Sequence, residues 1–494
     1  MDLQFRKERI PYLRTVVNEA QTQELTQEVR LPDGMPDIGR VLSSWGQVLI
    51  RGKEWRSGGV GVNGGVMTWV LYAPEDGSHP QCVETWLPFQ MKWDIDAAAQ
   101  DGVICAMPLL TDVDARSTSA RKLMVRAGVG MMLQARNKDE AEVYLPDELP
   151  EDICILKNTY PMQLAAEGGE KGFTLEESIS LPASVPTPEK LIYYTLIPEA
   201  TDQKLLTDKL VFRGTATLHI RYLDGDGQLH HWSTEIPFSQ YAELERDYTD
   251  DAQSCMMIVL TNLELEKGAE ESLTLKAGLL GQYTIFEQRD VTVVEDAYSP
   301  KRHIAQQTAT LHLPAVLDTV SETIHARQPL EEQVGILSDV AFYPAVPRLY
   351  HDSDGISGEL SGTFRILGED NEGQLQGMTK QWEDSWSLPA ASNIRTEAML
   401  RPMGADGGNG ELEADMQLDV RMVADWEMPI ITGLEVGEPI TADSQRPSLI
   451  LRRRGDESLW EIAKQAGSTV EAIQKTNNIT QEPEKDKLLL IPVL

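Results

Sequence analysis

Cysteine is scarce in this 494-residue chain: Cys82, Cys105, Cys154 and Cys255 include no CxxC pair and no metal-ligand spacing. That excludes a disulfide framework and suits buried thiols in a reducing compartment. Basic charge is also short, with 44 Lys and Arg against 78 Asp and Glu and a formal net charge of -34. A surface of that sign repels phosphate backbones and anionic bilayers, so neither nucleic acid nor a membrane surface is expected as a partner. No apolar run reaches the roughly 18 residues a membrane-spanning helix needs. None follows Arg6-Lys7-Glu8-Arg9 as a secretion signal would require. The chain is expected in the cytosol of the cell that makes it.

Catalytic signatures are missing as well. Gly59, Gly61 and Gly64 fit GxGxxG, but the strand-like GVMTWVLY follows where a dinucleotide fold needs a helix, so a glycine-rich hairpin is expected. Asp224, Asp226, Gln228 and Glu235 have calcium-loop spacing, yet Leu229 stands at the glycine position and strands flank it, which reads as a solvated turn. The eight histidines form no HExxH, and His230 and His231 point to opposite faces of a strand. Neither a nucleophile elbow nor a phosphate-binding loop occurs. No catalytic residue, metal or cofactor is expected.

What the sequence does contain is a repeat. Leu31-Pro32 returns as Leu181-Pro182, Pro36 as Pro186, Gly64 as Gly214, and Val125-Arg126-Ala127-Gly128 as Leu275-Lys276-Ala277-Gly278, all 150 residues apart. Leu87-Pro88-Phe89 returns as Ile236-Pro237-Phe238. A looser third copy opens at Leu313-Pro314, continues from Gly358 through ELSGTFRIL, and has Leu388-Pro389 and Leu412-Glu413-Ala414 for the last two steps. Within copies, Thr215, Thr217, His219 and Arg221 alternate with Ala216, Leu218, Ile220 and Tyr222, the pattern of a strand with one polar face. Asp76-Gly77, Asp224-Gly225-Asp226-Gly227 and Glu372-Gly373 supply turns. The expected fold is mainly β: three tandem sandwich- or barrel-like repeats of about 130–150 residues, each large enough for its own core. Their expected bounds are 31–180, 181–312 and 313–431, after an N-terminal segment 1–30 and before a Gly- and Pro-rich linker, 432–448. Trp45, Trp55, Trp69, Trp86 and Trp93 all fall in the first copy, as core rings or, in the alternative, as an exposed contact surface.

Residues 449–494 read as a small βααβ module: strand Leu449-Ile450-Leu451, a turn at Gly455, two short helices around Trp460 and Val470, and a closing strand ending Ile491-Pro492. Trp460 is expected in its core. Gly455-Asp456-Glu457-Ser458-Leu459-Trp460-Glu461-Ile462-Ala463, Thr469-Val470, Asn477-Asn478-Ile479 and Leu489-Leu490-Ile491-Pro492 resemble a LysM domain. The resemblance implies a groove for N-acetylglucosamine polymers lined by Gly455, Asp456, Glu457, Ser458, Asn477, Asn478, Ile479 and Thr480. Glu457 departs from the pattern, placing an acidic group at the groove lip. Arg452-Arg453-Arg454 beside it is the only basic triplet, and residues 446–494 carry 8 Lys and Arg against 7 Asp and Glu. It reads as a docking patch for an acidic partner surface.

The repeats resemble the SPOCS domain, found in tandem with a C-terminal LysM in SipL-like spore-coat morphogenetic proteins. That resemblance implies a non-enzymatic scaffold of coat assembly in the mother-cell cytoplasm, at the forespore surface. It implies binding to a coat morphogenetic protein, a SpoIVA-like ATPase, through the repeats and the LysM. The alternative it leaves open is a peptidoglycan- or cortex-binding protein acting through the LysM groove.

Overall fold

The computed structural model describes residues 2–99, 101–268, 272–330, 336–351, 355–369, 373–389, 394–408, 410–441 and 447–494. The fold is mainly β, as the alternating pattern requires, with long antiparallel strands. The first group is β1 (Asp2–Gln4), β2 (Arg6–Arg30), β3 (Ile38–Arg56), β4 (Gly59–Pro74), β5 (Gln81–Asp94), β6 (Val103–Ser119) and β7 (Lys122–Leu145). The second is β8 (Cys154–Ser180), β9 (Lys190–Leu206), β10 (Lys209–Leu223), β11 (Leu229–Glu243), β12 (Gln253–Lys267) and β13 (Ser272–Tyr298). The third is β14 (Arg302–Pro329), β15 (Ile336–Pro344), β16 (Arg348–His351), β17 (Ile356–Glu369), β18 (Leu375–Leu388), β19 (Ile394–Gly408) and β20 (Glu411–Pro439). The chain closes with β21 (Leu449–Arg453), α1 (Leu459–Ala466), α2 (Val470–Asn477) and β22 (Leu488–Pro492).

Each of the three groups repeats one plan. A long first strand pairs with the long last strand of its own group: β2 with β7, β8 with β13, β14 with β20. Between them runs a meander, β3-β4-β5 in the first group and β9-β10-β11 in the second. In the third it is broken by Pro347 into β15 and β16 on one side of β17, with β18 on the other. The strand pairing therefore groups residues 6–145, 154–298 and 302–439, and Leu31 and Leu181 mark the turn after the first strand. Leu313-Pro314, expected to open the third copy, lies in mid-strand in β14. The third equivalent of that turn starts at Leu330, whose N–H bonds the Gly410 carbonyl at 2.8 Å as that of Leu31 bonds Arg121 at 2.9 Å.

Side-chain detail confirms the 150-residue offset. The Tyr72 hydroxyl donates to the Pro36 carbonyl at 2.9 Å, and Tyr222 to that of Pro186 at 2.8 Å. A Cβ on Gly64 would collide with the Leu49 carbonyl and the Phe89 ring; on Gly214 it would meet the Glu199 carbonyl and the Phe238 ring. In the third copy Gly358 pairs with Trp386, so that ring, two residues before Leu388, takes the place of Phe89 and Phe238. Gly77, Gly227 and Gly373 turn at φ between 73° and 77°, where a side chain would be strained; Glu372, the other half of the third turn, lies outside the described residues. Gly214→Ala is expected to destabilise the chain by about 1–3 kcal/mol through overpacking, read as a lower urea midpoint.

The long pairs carry an extra residue at matching places, Val16, Ala166 and Leu317, skipped in the pairing of β2, β8 and β14. Such bulges bend a strand. On one side of each bulge the ribbon packs into its own copy. On the other, the three ribbons converge on a shared core: Ile10, Tyr12, Ala141 and Val143, with Met162, Leu164, Val291 and Val293, and with Leu311, Leu313, Met428 and Ile430. β1 adds to the edge of β20.

Residues 432–439, expected as the start of a linker, continue β20, with Leu434 and Val436 buried. The alternation of Leu434 and Val436 outweighs the glycines between them. Of the remaining expected linker, 442–446 lie outside the described residues. Trp45, Trp69 and Trp93 are buried. Trp45 stacks on Tyr193 of the second copy at 4.4 Å, so part of the first copy's aromatic wealth serves a seam between copies.

Two buried carboxylates fasten the seams. Asp339 of β15 accepts bonds from Trp45 Nε1 at 2.6 Å, the Tyr193 hydroxyl at 2.9 Å and Arg221 Nε at 2.6 Å, joining all three copies. Glu397 of β19 accepts from Arg136 at 2.5 Å and Thr15 at 2.8 Å, with Arg395 and Arg421 close by. Thr217, His219 and Arg221, the polar face of β10, are thus turned toward this junction and not to bulk water.

Candidate binding surfaces on the C-terminal module

The module's helices are set by their caps. Ser458 caps α1, its hydroxyl accepting from Glu461 N–H while the Glu461 carboxylate takes the Ser458 N–H at 2.8 Å, a reciprocal capping box. Gly467 ends α1 at φ 64°; Thr469 then caps α2, and Asn478 ends it at φ 57°. Leu459, Ile462, Ala463, Ile473, Leu489 and Ile491 form the core beneath the β21–β22 pair.

The residues expected in the groove are placed as follows. Gly455 to Ser458 make the turn between β21 and α1, and Asn477 to Thr480 end α2. Asn477 is a pin: its amide donates to the Ile473 and Leu490 carbonyls, and its oxygen takes the Leu490 N–H at 2.8 Å. The turn is closed by other residues. Leu459 N–H bonds Glu482 at 2.9 Å, Arg454 pairs with Glu482 at 3.0 Å, and Asp456 pairs with Lys485 at 2.6 Å. Glu457 pairs with Arg452 at 2.5 Å. Its own backbone N–H and that guanidinium hold its carboxyl below the usual range. The acid at the lip is neutralised inside the module. Of the basic triplet, Arg452 also bonds Gln465, and Arg454 reaches the Glu457 and Pro483 carbonyls. Arg453 points the other way, exposed.

On that outer face Arg453 has unexpected company. Leu449, Leu451, Leu488 and Leu490 are between 38% and 63% exposed. Leu451 lies opposite Leu490, and Arg453 opposite Leu488. Four leucines around one cation make an exposed apolar face of the kind that marks interaction sites. The alternation that puts them there, Leu449-Leu451-Arg453 and Leu488-Leu490, is visible in the sequence. Ile450, Leu489 and Ile491 occupy the buried face.

The opposite side of the module docks on the second copy. Trp460, expected in the module's core, is half-buried and packs against that core while donating from Nε1 to Asp296 at 2.7 Å and meeting the Tyr298 ring edge-on at 4.8 Å. Lys464 reaches Asp296 at 2.7 Å, and the Tyr298 hydroxyl donates to the Ser468 carbonyl at 3.0 Å. Burial acts to raise the Asp296 carboxyl, but the Lys464, Trp460 and Gln306 donors outweigh it and hold it below the ordinary value.

Among the described residues no cluster of His, Cys, Asp and Glu could hold a metal ion, and no helix is long and apolar enough to cross a membrane. The fold and these surfaces define a three-copy β protein with a small βααβ module docked on its second copy. A family model described as SipL, SPOCS domain, matches residues 189–267, which run from the start of β9 to the end of β12. Over that span the chain is similar to the SPOCS domain, which supports a SipL-like protein with a role related to sporulation. No curated protein and no solved structure gives a significant match.

Proposed function

We propose that this chain is a non-enzymatic scaffold of spore-envelope assembly, binding a coat morphogenetic protein, a SpoIVA-like ATPase, through its β copies and its LysM-like module. Its place would be the mother-cell side of the forespore surface. The observation that carries the reading is the leucine face. A module that only held sugar polymer in its groove would have no use for four exposed leucines on the sheet face, whereas a protein contact buries such a surface and Arg453 offers a carboxylate its partner. The turn assigned to the glycan groove is instead engaged by Glu482, Lys485 and Arg452.

The test uses the full chain and Leu451→Glu, each titrated with the coat morphogenetic ATPase of the same organism and, separately, pelleted with purified peptidoglycan. Burying one leucine contributes about 1.5–3 kcal/mol, so the variant should bind the ATPase roughly 10- to 150-fold more weakly while unfolding at an unchanged urea midpoint. Saturable retention on peptidoglycan, together with ATPase binding that is absent or indifferent to Leu451→Glu, would replace the scaffold reading with the wall-binding one.

A further inference from the structure

Where the three copies meet, a cavity of about 620 Å³ opens between β3 and β6 of the first, β9 to β12 of the second, and β15, β19 and β20 of the third. Its volume suits a small organic molecule. The walls mix polar side chains with apolar ones, among them Val48, Leu110, Ile258 and Val340. At one end lies Arg221, 8% exposed. Its Nε and one terminal nitrogen serve Asp339, while Nη1 is buried with no hydrogen-bond partner among the described residues. Arg401, also lining the cavity, pairs with Asp419 and leaves its Nε equally unmatched. His219 and His231 line it as a stacked pair, rings 5.9 Å apart and 10° from parallel. Burial, then the Arg221 charge, pushes the His219 imidazole below its ordinary value, which favours a neutral flat surface. Of the acids lining it, Glu413 pairs with Arg327, Asp415 bonds the His325 ring at 2.7 Å, and Asp406 accepts the Gly407 N–H.

Unsatisfied buried donors on cations are costly and call for an acceptor. We propose that this cavity binds a small apolar carboxylate, its anionic end toward the Arg221 and Arg401 guanidiniums and its body, preferably a flat ring, against the histidine pair and the aliphatic side chains. The site belongs to no single copy, since each of the three supplies a wall. It is independent of the leucine face.

The experiment is calorimetric titration of the full chain with 2-naphthoate and with 2-naphthamide, which has the same ring and no charge. Naphthoate should bind one per chain, and at least about tenfold more tightly than the amide, as a charge-assisted bond would give. Thr217→Trp, which puts an indole into the cavity from the face of β10 shared with His219 and Arg221, should weaken naphthoate at least about tenfold. Arg221→Lys keeps a charge beside Asp339, removes the unmatched guanidinium donor and should remove the preference for naphthoate. Unfolding curves separate loss of the site from loss of the fold. Absence of naphthoate binding, equal affinity for the amide, or undiminished binding by a folded Thr217→Trp chain would each overturn the proposal.

Discussion

Asp339→Ala is expected to lower the stability of the chain by about 3–5 kcal/mol, the loss typical of breaking a buried ion pair from one side. The carboxylate is 2% exposed and serves three donors from two other copies. Without it the Arg221 guanidinium stays buried and uncompensated, and the Trp45 indole and Tyr193 hydroxyl lose their acceptor. Urea unfolding followed by tryptophan fluorescence measures the effect, with Trp45 reporting directly from the seam. The double change Asp339→Leu with Arg221→Met should recover a large part of the loss, because it removes the stranded charge together with its partner. A single substitution that leaves the midpoint within a few tenths of wild type would mean that the copies hold together by apolar burial alone.

Glu397→Gln is the second large effect, and pH distinguishes it from the first. Glu397 is 3% exposed. Burial works to raise its carboxyl, but Arg136 first, then Arg421 and Arg395, bring it down to about 2. A folded-state value below the unfolded one means the stabilisation is fully present above the ordinary glutamate value of about 4.3 and is lost as pH falls through about 2. The linked stability is on the order of 3 kcal/mol. The variant should therefore unfold at a lower urea midpoint at neutral pH, and its midpoint should fall less steeply than wild type between those two pH values. Parallel acid limbs for the two proteins would show that Glu397 is not the group that titrates.

The sequence by itself determined the elements that depend on neighbours along the chain. Gly64 and Gly214 had to be glycine because a carbonyl and a Phe ring crowd each. Tyr72 and Tyr222 close onto Pro36 and Pro186 at one offset. Ser458, Gly467 and Thr469 cap the module's helices as their types and spacing require. Those features repeat or match a local pattern, so the βααβ order and two of the three copies were legible.

Tertiary structure decided what depends on partners far away. Arg6 pairs with Leu145, and Arg302 with Pro439; no local pattern fixes pairings over such separations, which follow from which faces find a core. The phase of the repeat escaped for that reason: the first strand of each copy precedes the Leu-Pro turn and shares only its bulge, Val16, Ala166 or Leu317, with its equivalents. Polar residues at alternating positions also look alike in sequence whether water or another copy faces them. Thr217, His219 and Arg221 read as a solvated strand face until Asp339 arrives from the third copy. Trp460 reads as module core, and only the packing shows that it also meets Asp296 and Tyr298 of the second copy. Alternation set which residues share a face, but only the packing of the copies decided which face met solvent, a seam or a partner.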